Sequence, residues 1–260
     1  MTDPVYHRLL IGLLLATVTA QAVFAAFPGI DLAVSGLFAD GRAGFRWSQG
    51  WLNTVNFILR RMGEAVAFGL VIWVILGGLF RKLKGDDLRA WAFAALTVVL
   101  SSGVIVNLIL KAHVGRSRPA GLSIFGGSAQ FTPAWQVTDQ CARNCSFTSG
   151  EVALAGSLAI VALVLSWPRL QTAMGRFLAL AMACVYVGGV SLLRIGLGRH
   201  FPSDVVFSLL IAAAVAVFLY PVLGVGRARL AFDPSQPLRL AAGMIAAGKR
   251  RARAMFDRAS

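Results

Sequence analysis

The amino-acid sequence predicts an all-α integral membrane protein: a six-transmembrane-helix bundle whose polar residues gather at one membrane face. Three observations carry this expectation. Of 260 residues, 57% are hydrophobic and 14% charged, where a soluble domain of ordinary composition carries about 25% charged residues. The mean hydropathy is +0.72. The apolar residues also fall into six runs without charge, at 9–26, 65–80, 90–110, 152–168, 177–193 and 205–226. That much apolar surface has no place in one compact soluble core, so the bilayer is its solvent.

Each run is expected to be a helix. A helix rises about 1.5 Å per residue, so about 20 residues cross a hydrocarbon core of about 30 Å. The runs are continuously apolar rather than alternating, which favours helices over a barrel. Run 9–26 lacks a small-x-small cleavage site leading into a soluble domain, so it is expected to stay as the first span. Run 65–80 is short and is expected to extend back through Met62 and Glu64. Run 90–110 is long enough alone. After the sixth run the composition shifts. Residues 236–260 mix Leu238, Leu240, Met244, Ile245, Met255 and Phe256 with Lys249, Arg250, Arg251 and Arg253, the pattern of a basic interfacial helix on an anionic cytoplasmic leaflet. The expected organisation is a membrane domain over residues 1–226 and a basic amphipathic tail over 227–260.

The formal net charge is +14. A nucleic-acid partner is not expected, because the cations sit between apolar spans rather than along one soluble face. With a cytoplasmic N-terminus, fifteen of the 25 Lys and Arg residues fall on the cytoplasmic side and ten outside. That bias orients both termini inward, as for a multi-pass protein of a bacterial inner membrane. Five of the ten outer cations, Lys111, Arg116, Arg118, Arg194 and Arg199, lie in two short polar segments, a concentration that suggests a use. The sequence carries no signal for an oligomeric state.

Three polar segments come to one face. Lys111 to Pro119 closes the third span, Cys145 to Glu151 opens the fourth, and Arg194 to Asp204 joins the fifth to the sixth. Spans three and five run outward and span four inward, so these three ends share the periplasmic side. Lys111, Arg118 and Arg194 offer a point charge and planar bidentate forks suited to phosphate. Ser149 stands at a helix N-cap and Gly150 lets a ligand approach the backbone; the N–H groups of that turn and the helix dipole attract anions. His200 and Asp204 are four apart. If that stretch coils, the carboxylate accepts an imidazole N–H and leaves the other ring nitrogen free as a nucleophile. Cys141 and Cys145 fit either a disulfide in an oxidising compartment or two reduced thiols. No Cys or His completes a zinc set around them, and neither metal nor cofactor is expected.

The spacing of Lys111, Arg118-Pro119, Ser149-Gly150, Arg194, His200 and Asp204 resembles the type 2 phosphatidic acid phosphatase superfamily, which includes bacterial membrane lipid phosphatases and soluble vanadium haloperoxidases. The resemblance covers roughly residues 5–226. It implies that His200 attacks phosphorus to form a phosphohistidine, that Asp204 orients it, and that Lys111, Arg118, Ser149, Gly150 and Arg194 hold the phosphoryl oxygens. Two positions depart from the family pattern. Leu193 stands where a serine usually precedes the arginine. Glu151 stands where a histidine usually protonates the leaving oxygen, and only His7, His113 and His200 exist in the chain. An unperturbed Glu titrates near about pH 4.3, so Glu151 as the acid requires help from its surroundings; His113 is the alternative. The Cys-containing loop followed by Ser146-Phe147-Thr148-Ser149-Gly150-Glu151 is also similar to a branch that includes bacterial lipid A 4′-phosphatases.

The expected function is hydrolysis of a phosphate monoester, or a terminal diphosphate, of a lipid at the periplasmic leaflet. The lipid substrate and the bilayer are the expected partners. Alternative readings are a lipid phosphotransferase, a phosphatase of undecaprenyl diphosphate or phosphatidylglycerophosphate, and a non-catalytic lipid-phosphate binder or transporter. Transport would call for charges deep in the spans, and the six apolar runs hold none.

Overall fold

The computed structural model describes residues 4–41, 44–80, 82–237 and 239. Leu238 and residues 240–260 lie outside this set, and with them most of the expected interfacial tail. The described residues form α1 (Pro4–Ala26), α2 (Gly29–Gly36), α3 (Trp51–Leu79), α4 (Gly85–Val98), a π-helical stretch (Val99–Leu110), α5 (Lys111–His113), α6 (Gly150–Ser166), α7 (Ala173–Gly196), α8 (Pro202–Val222) and α9 (Val225–Ala231). No β-strand occurs among them. Six helical segments are long and apolar enough to cross a membrane: Tyr6–Ala26, Trp51–Leu79, Gly85–His113, Gly150–Arg169, Ala173–Gly196 and Pro202–Val222. They contain the six apolar runs except Phe80 of the second and residues 223–226 of the last. The protein is a multi-pass helical membrane bundle.

The second span departs most from its hydropathy run. It begins at Trp51, well before Met62, and so takes in Asn53, Asn56, Arg60 and Arg61. These polar residues survive in a helix because they lie in its first turns, where side chains reach the interface. Arg60 and Arg61 each meet Glu64 at 2.8 Å.

The bundle is layered around α6. The most apolar stretch of its span is 56% buried, against 11% in α1 and in α3, so α6 is central while α1 and α3 give most of their surface to lipid. Small residues let the helices approach: Gly63 of α3 faces Leu154 of α6, and Gly156 of α6 faces Leu209 of α8. Serines bridge the middle layer. Ser101 and Ser157 hydroxyls lie 2.6 Å apart, and Ser102 donates to the Gly150 carbonyl at 2.9 Å. In a medium without water such groups are satisfied from within the protein. Ser101 and Ser102 sit in the π-helical stretch, whose wider turn is a feature often found near functional sites.

At the opposite end α9 returns to the bundle. Val225 and Ala228 are buried in one cluster with Trp91, and Phe232 stacks edge-on against the Trp91 ring at 5.0 Å. The expected division at residue 226 therefore falls inside a helix packed on the membrane domain.

Candidate active site

The three polar segments expected to share one face do meet, at the end of the bundle formed by α5, the start of α6, the end of α7 and the start of α8. They surround a cavity of about 430 Å³ lined by Lys111, Arg118, Gly150, Glu151, Arg194 and Arg199, and by Asn53, Asn56, Phe57, Arg60 and Glu64 of α3. Lys111 opens α5, directly after the π-helical stretch, and is 9% exposed. Arg118 sits in extended backbone before Pro119. Its Nε has no hydrogen-bond partner among the described residues, and burial, with the nearby charge of Arg199, lowers its affinity for its proton. Arg194, 3% exposed, donates to Asn56 Oδ1 at 2.9 Å. Two buried cations, Lys111 and Arg194, and the half-buried Arg118 face one cavity and are arranged for an anion.

Ser149 caps α6 as expected, its hydroxyl accepting from the Val152 N–H at 3.4 Å. Its own N–H is donated to the Ser208 hydroxyl at 2.8 Å. Gly150 is required by a neighbour: a Cβ there would lie 2.6 Å from Asn107 Oδ1. The absence of a side chain thus seats Asn107 against the helix start, whatever else it admits.

His200 is fully buried, and burial lowers its pKa to about 4. The imidazole is neutral at physiological pH. Its Nδ1 lies 2.8 Å from the Ser146 carbonyl oxygen. A carbonyl only accepts, so Nδ1 carries the proton and Nε2 keeps its lone pair. Nε2 has no hydrogen-bond partner among the described residues and faces Glu151 Oε2 at 3.9 Å. The turn before it depends on Gly198, whose φ of +64° is left-handed and whose open side is filled by the Phe45 ring, a position no larger residue fits.

Asp204 sits 3.7 Å from His200 Nδ1, beyond hydrogen-bond reach, so the direct pairing drawn from their spacing is not the contact that forms. Its oxygens are taken elsewhere. Oδ1 accepts from Arg116 at 2.7 Å; Oδ2 accepts from the Ser146 hydroxyl at 2.5 Å and the Phe201 N–H at 2.9 Å. Asp204 thereby holds Ser146, and Ser146 holds the imidazole. Glu151 meets Arg194 at 3.3 Å and Arg60 at 3.9 Å. It stands between the cations and His200. Neither His113 nor His200 is among the residues lining the cavity; His200 is buried behind Glu151, while His113 is exposed, its Nδ1 2.7 Å from the Ile109 carbonyl.

Sequence reasoning missed Asp31 and named Arg116 only as one of the outer cations. Arg116 is completely buried, bound to Asp31 and Asp204 at 2.7 Å each, to Ser203 at 2.9 Å and to the Thr132 carbonyl at 2.8 Å. Its guanidinium lies over the Phe201 ring, 4.2 Å from the centroid. Asp31 of α2 also accepts the Ser203 N–H at 2.9 Å. Burial raises the Asp31 carboxyl, against the pull of the Arg116 charge. Cys141 and Cys145 form a disulfide immediately before Ser146, which resolves the choice between a bridge and free thiols.

A narrow slot of about 20 Å³ leads from Arg60 and Glu151 between α3 and α7, past Gly63, Leu154 and Val190, to Tyr186. There an apolar groove of about 540 Å³ opens between α3, α6 and α7, lined by Val66, Ala159, Ala162 and Met182 among others.

Comparison with known proteins agrees with this geometry. Residues 90–225 match the model of the PAP2 superfamily. A lipid A 4′-phosphatase of Francisella tularensis subsp. novicida is 32% identical over 191 residues, covering 72% of this chain and 83% of that protein. Another, from Rhizobium leguminosarum, is 32% identical over 216 residues, covering 75% and 87%. The crystal structure of a transmembrane PAP2-type phosphatidylglycerolphosphate phosphatase from Bacillus subtilis superposes with a TM-score of 0.50 at 22% identity, covering 84% of this chain and 94% of that one; it supports the fold. The match spans both cationic segments, the Ser149-Gly150 turn, His200 and Asp204, and with it the chain belongs to the PAP2 superfamily, as a membrane phosphatase.

Proposed function

We propose that the protein removes a phosphate monoester from a lipid of the lipid A class at the periplasmic leaflet of a bacterial inner membrane, through a phosphohistidine. The observation that carries this reading is His200: a neutral imidazole whose Nδ1–H is held by the Ser146 carbonyl and whose Nε2 has no hydrogen-bond partner among the described residues and faces Glu151, a residue of the cationic cavity's wall, at 3.9 Å. The lipid A class rests on the relatives named above.

The substrate phosphate is held by Lys111, Arg118 and Arg194. These cations offset the charge that grows on the phosphoryl oxygens in the transition state. The Nε2 lone pair attacks phosphorus on the face opposite the lipid oxygen. A N–P bond forms, the P–O bond to the lipid breaks, and its electron pair stays on the leaving oxygen. That oxygen needs a proton. A monoester phosphate titrates near about pH 6, so a share of substrate arrives as the monoanion. Glu151 relays this proton from a phosphoryl oxygen to the leaving alkoxide. Water then attacks phosphorus, the N–P bond breaks, and inorganic phosphate departs with His200 neutral again. Asp204 and Ser146 keep the ring in one tautomer throughout. The lipid chains lie in the apolar groove between α3, α6 and α7, with the headgroup in the cavity.

Two measurements test the reading. Purified protein should release inorganic phosphate from lipid A, and acid-labile, base-stable label from ³²P-substrate should be trapped on the wild type but not on His200→Ala. Turnover by His200→Ala at the wild-type rate would exclude the phosphohistidine.

A further inference from the structure

The cavity has two unlike walls. One is the cradle of Lys111, Arg118, Arg194 and Gly150. The other is a single face of α3. Asn53, Asn56, Phe57, Arg60 and Glu64 all line the cavity, and their spacings of three and four residues put them on one side of the helix. Polar side chains in a spanning helix are costly and are commonly kept for function. Asn56 is used by Arg194, but no catalytic step above uses Asn53, Phe57 or Glu64. A phosphoryl group is only a few times larger than a water molecule, which takes about 30 Å³ of liquid. A cavity of about 430 Å³ leaves most of its space for what bears the phosphate.

The chemistry of the α3 wall narrows what that is. Asn53 both donates and accepts, Arg60 donates, and Glu64 accepts. Glu64 is fixed by Arg60 and Arg61 at 2.8 Å each, with 31% of its side chain exposed. A second phosphate would call for donors alone, and Glu64 already takes Arg60 Nε and Arg61 Nη1 at 2.8 Å each. A quaternary ammonium would call for a free carboxylate, and Glu64 is already paired with two arginines. Neighbouring hydroxyls on a saturated ring both give and accept hydrogen bonds, and the C–H face of such a ring lies well on an aromatic one. Phe57, 55% exposed, has the Arg61 guanidinium over one ring face at 5.2 Å and offers the other.

We infer that Asn53, Phe57, Arg60 and Glu64 form a glycosyl subsite that grips the sugar ring carrying the scissile phosphate and so selects phosphorylated glycolipids over glycerophospholipids. The inference rests on the phosphatase reading. Arg60, which also lies 3.9 Å from Glu151, links the sugar wall to the reacting centre.

The test uses full-length protein in mixed micelles, with lipid A and dioleoyl phosphatidic acid as probes. Wild type should favour lipid A in kcat/KM. Asn53→Ala and Phe57→Leu, both at exposed positions, should each lower the ratio of the two kcat/KM values by about tenfold, through KM for lipid A. A ratio that stays at the wild-type value in both variants overturns the subsite, whether the two rates fall together or neither falls. Wild type that cleaves phosphatidic acid but not lipid A overturns it together with the lipid A class, and leaves only the membrane phosphatase assignment. Wild type that cleaves neither removes both.

Discussion

His200 Nδ1 lies 2.8 Å from the carbonyl oxygen of Ser146; the carboxylate that sequence spacing pairs with it, Asp204, stands 3.7 Å away. The imidazole is thus oriented by a backbone group, and the carboxylate acts on that group's residue. Asp204→Asn should keep the nucleophile but loosen Ser146 and leave Arg116 short of a buried counter-charge. Breaking a buried ion pair by removing one partner costs about 3–5 kcal/mol. We expect weak residual turnover together with a clear fall in Tm, measured on the same preparation. His200→Ala should lose turnover altogether, with its own fall in Tm from the cavity and the unpaired Ser146 carbonyl. Equal Tm for Asp204→Asn and wild type would show that the buried network contributes little.

The titration of His200 has a stated direction. Burial lowers its pKa to about 4, so it stays neutral down to that pH and loses its nucleophilic lone pair only below it. Protein labelled with ¹⁵N-histidine should show one imidazole, absent in His200→Ala, protonated at Nδ1 and titrating near pH 4. A midpoint near about 6.5, the ordinary value, would mean that solvent reaches the ring.

Glu151, 3.9 Å from His200 Nε2 and 3.3 Å from Arg194, is proposed above to carry the proton to the leaving oxygen. Glu151→Gln keeps size but cannot carry a proton, and should slow lipid hydrolysis by about 10²–10⁴-fold, the usual worth of general acid catalysis. An activated aryl phosphate, whose leaving oxygen needs little protonation, should be spared. The rates of the two substrates in this variant decide the matter. An equal fall in both would make Glu151 an organiser of Arg194 rather than a proton carrier.

The disulfide precedes Ser146 directly. Replacing Cys141 and Cys145 by Ser should free the segment that fixes the imidazole. Misplacement of a catalytic group by about 1 Å can cost about 10²-fold, so a fall in kcat of about 10–100-fold is expected, with KM changed less. An unchanged kcat would show that Asp204 alone suffices to hold Ser146.

Orientation is testable separately. Reporter fusions after residues 85 and 130 should report opposite sides, cytoplasmic and periplasmic. The same side for both would sink the proposed topology.

The spans and the cationic segments were legible because hydropathy and charge are local. Lys111, Arg118 and Arg194 sit at helix ends whose common side follows from counting crossings. The start of α3 was hidden because Asn53, Asn56, Arg60 and Arg61 dilute the mean hydropathy of that stretch, although they occupy few faces of the helix. Arg116 was named only as one loop cation among several, since nothing local separates a buried arginine from one that reaches to lipid phosphates. Its partners Asp31 and Asp204 lie 85 and 88 residues away. The Ser146 carbonyl was invisible for another reason: it is a backbone group, and side-chain patterns carry no record of it.

The slot between α3 and α7 shares Arg60 and Glu151 with the cavity and Tyr186 with the apolar groove, and its volume of about 20 Å³ is far too small for a lipid to pass. A substrate whose chains stay in that groove, as proposed above, never leaves the lipid phase, so its encounters with His200 are counted per unit area of membrane. The variable that sets the rate is then the mole fraction of substrate among surrounding amphiphiles. Adding detergent at fixed substrate and protein should slow turnover as if the substrate had been diluted, while enlarging the water volume at constant micelle composition should leave it alone.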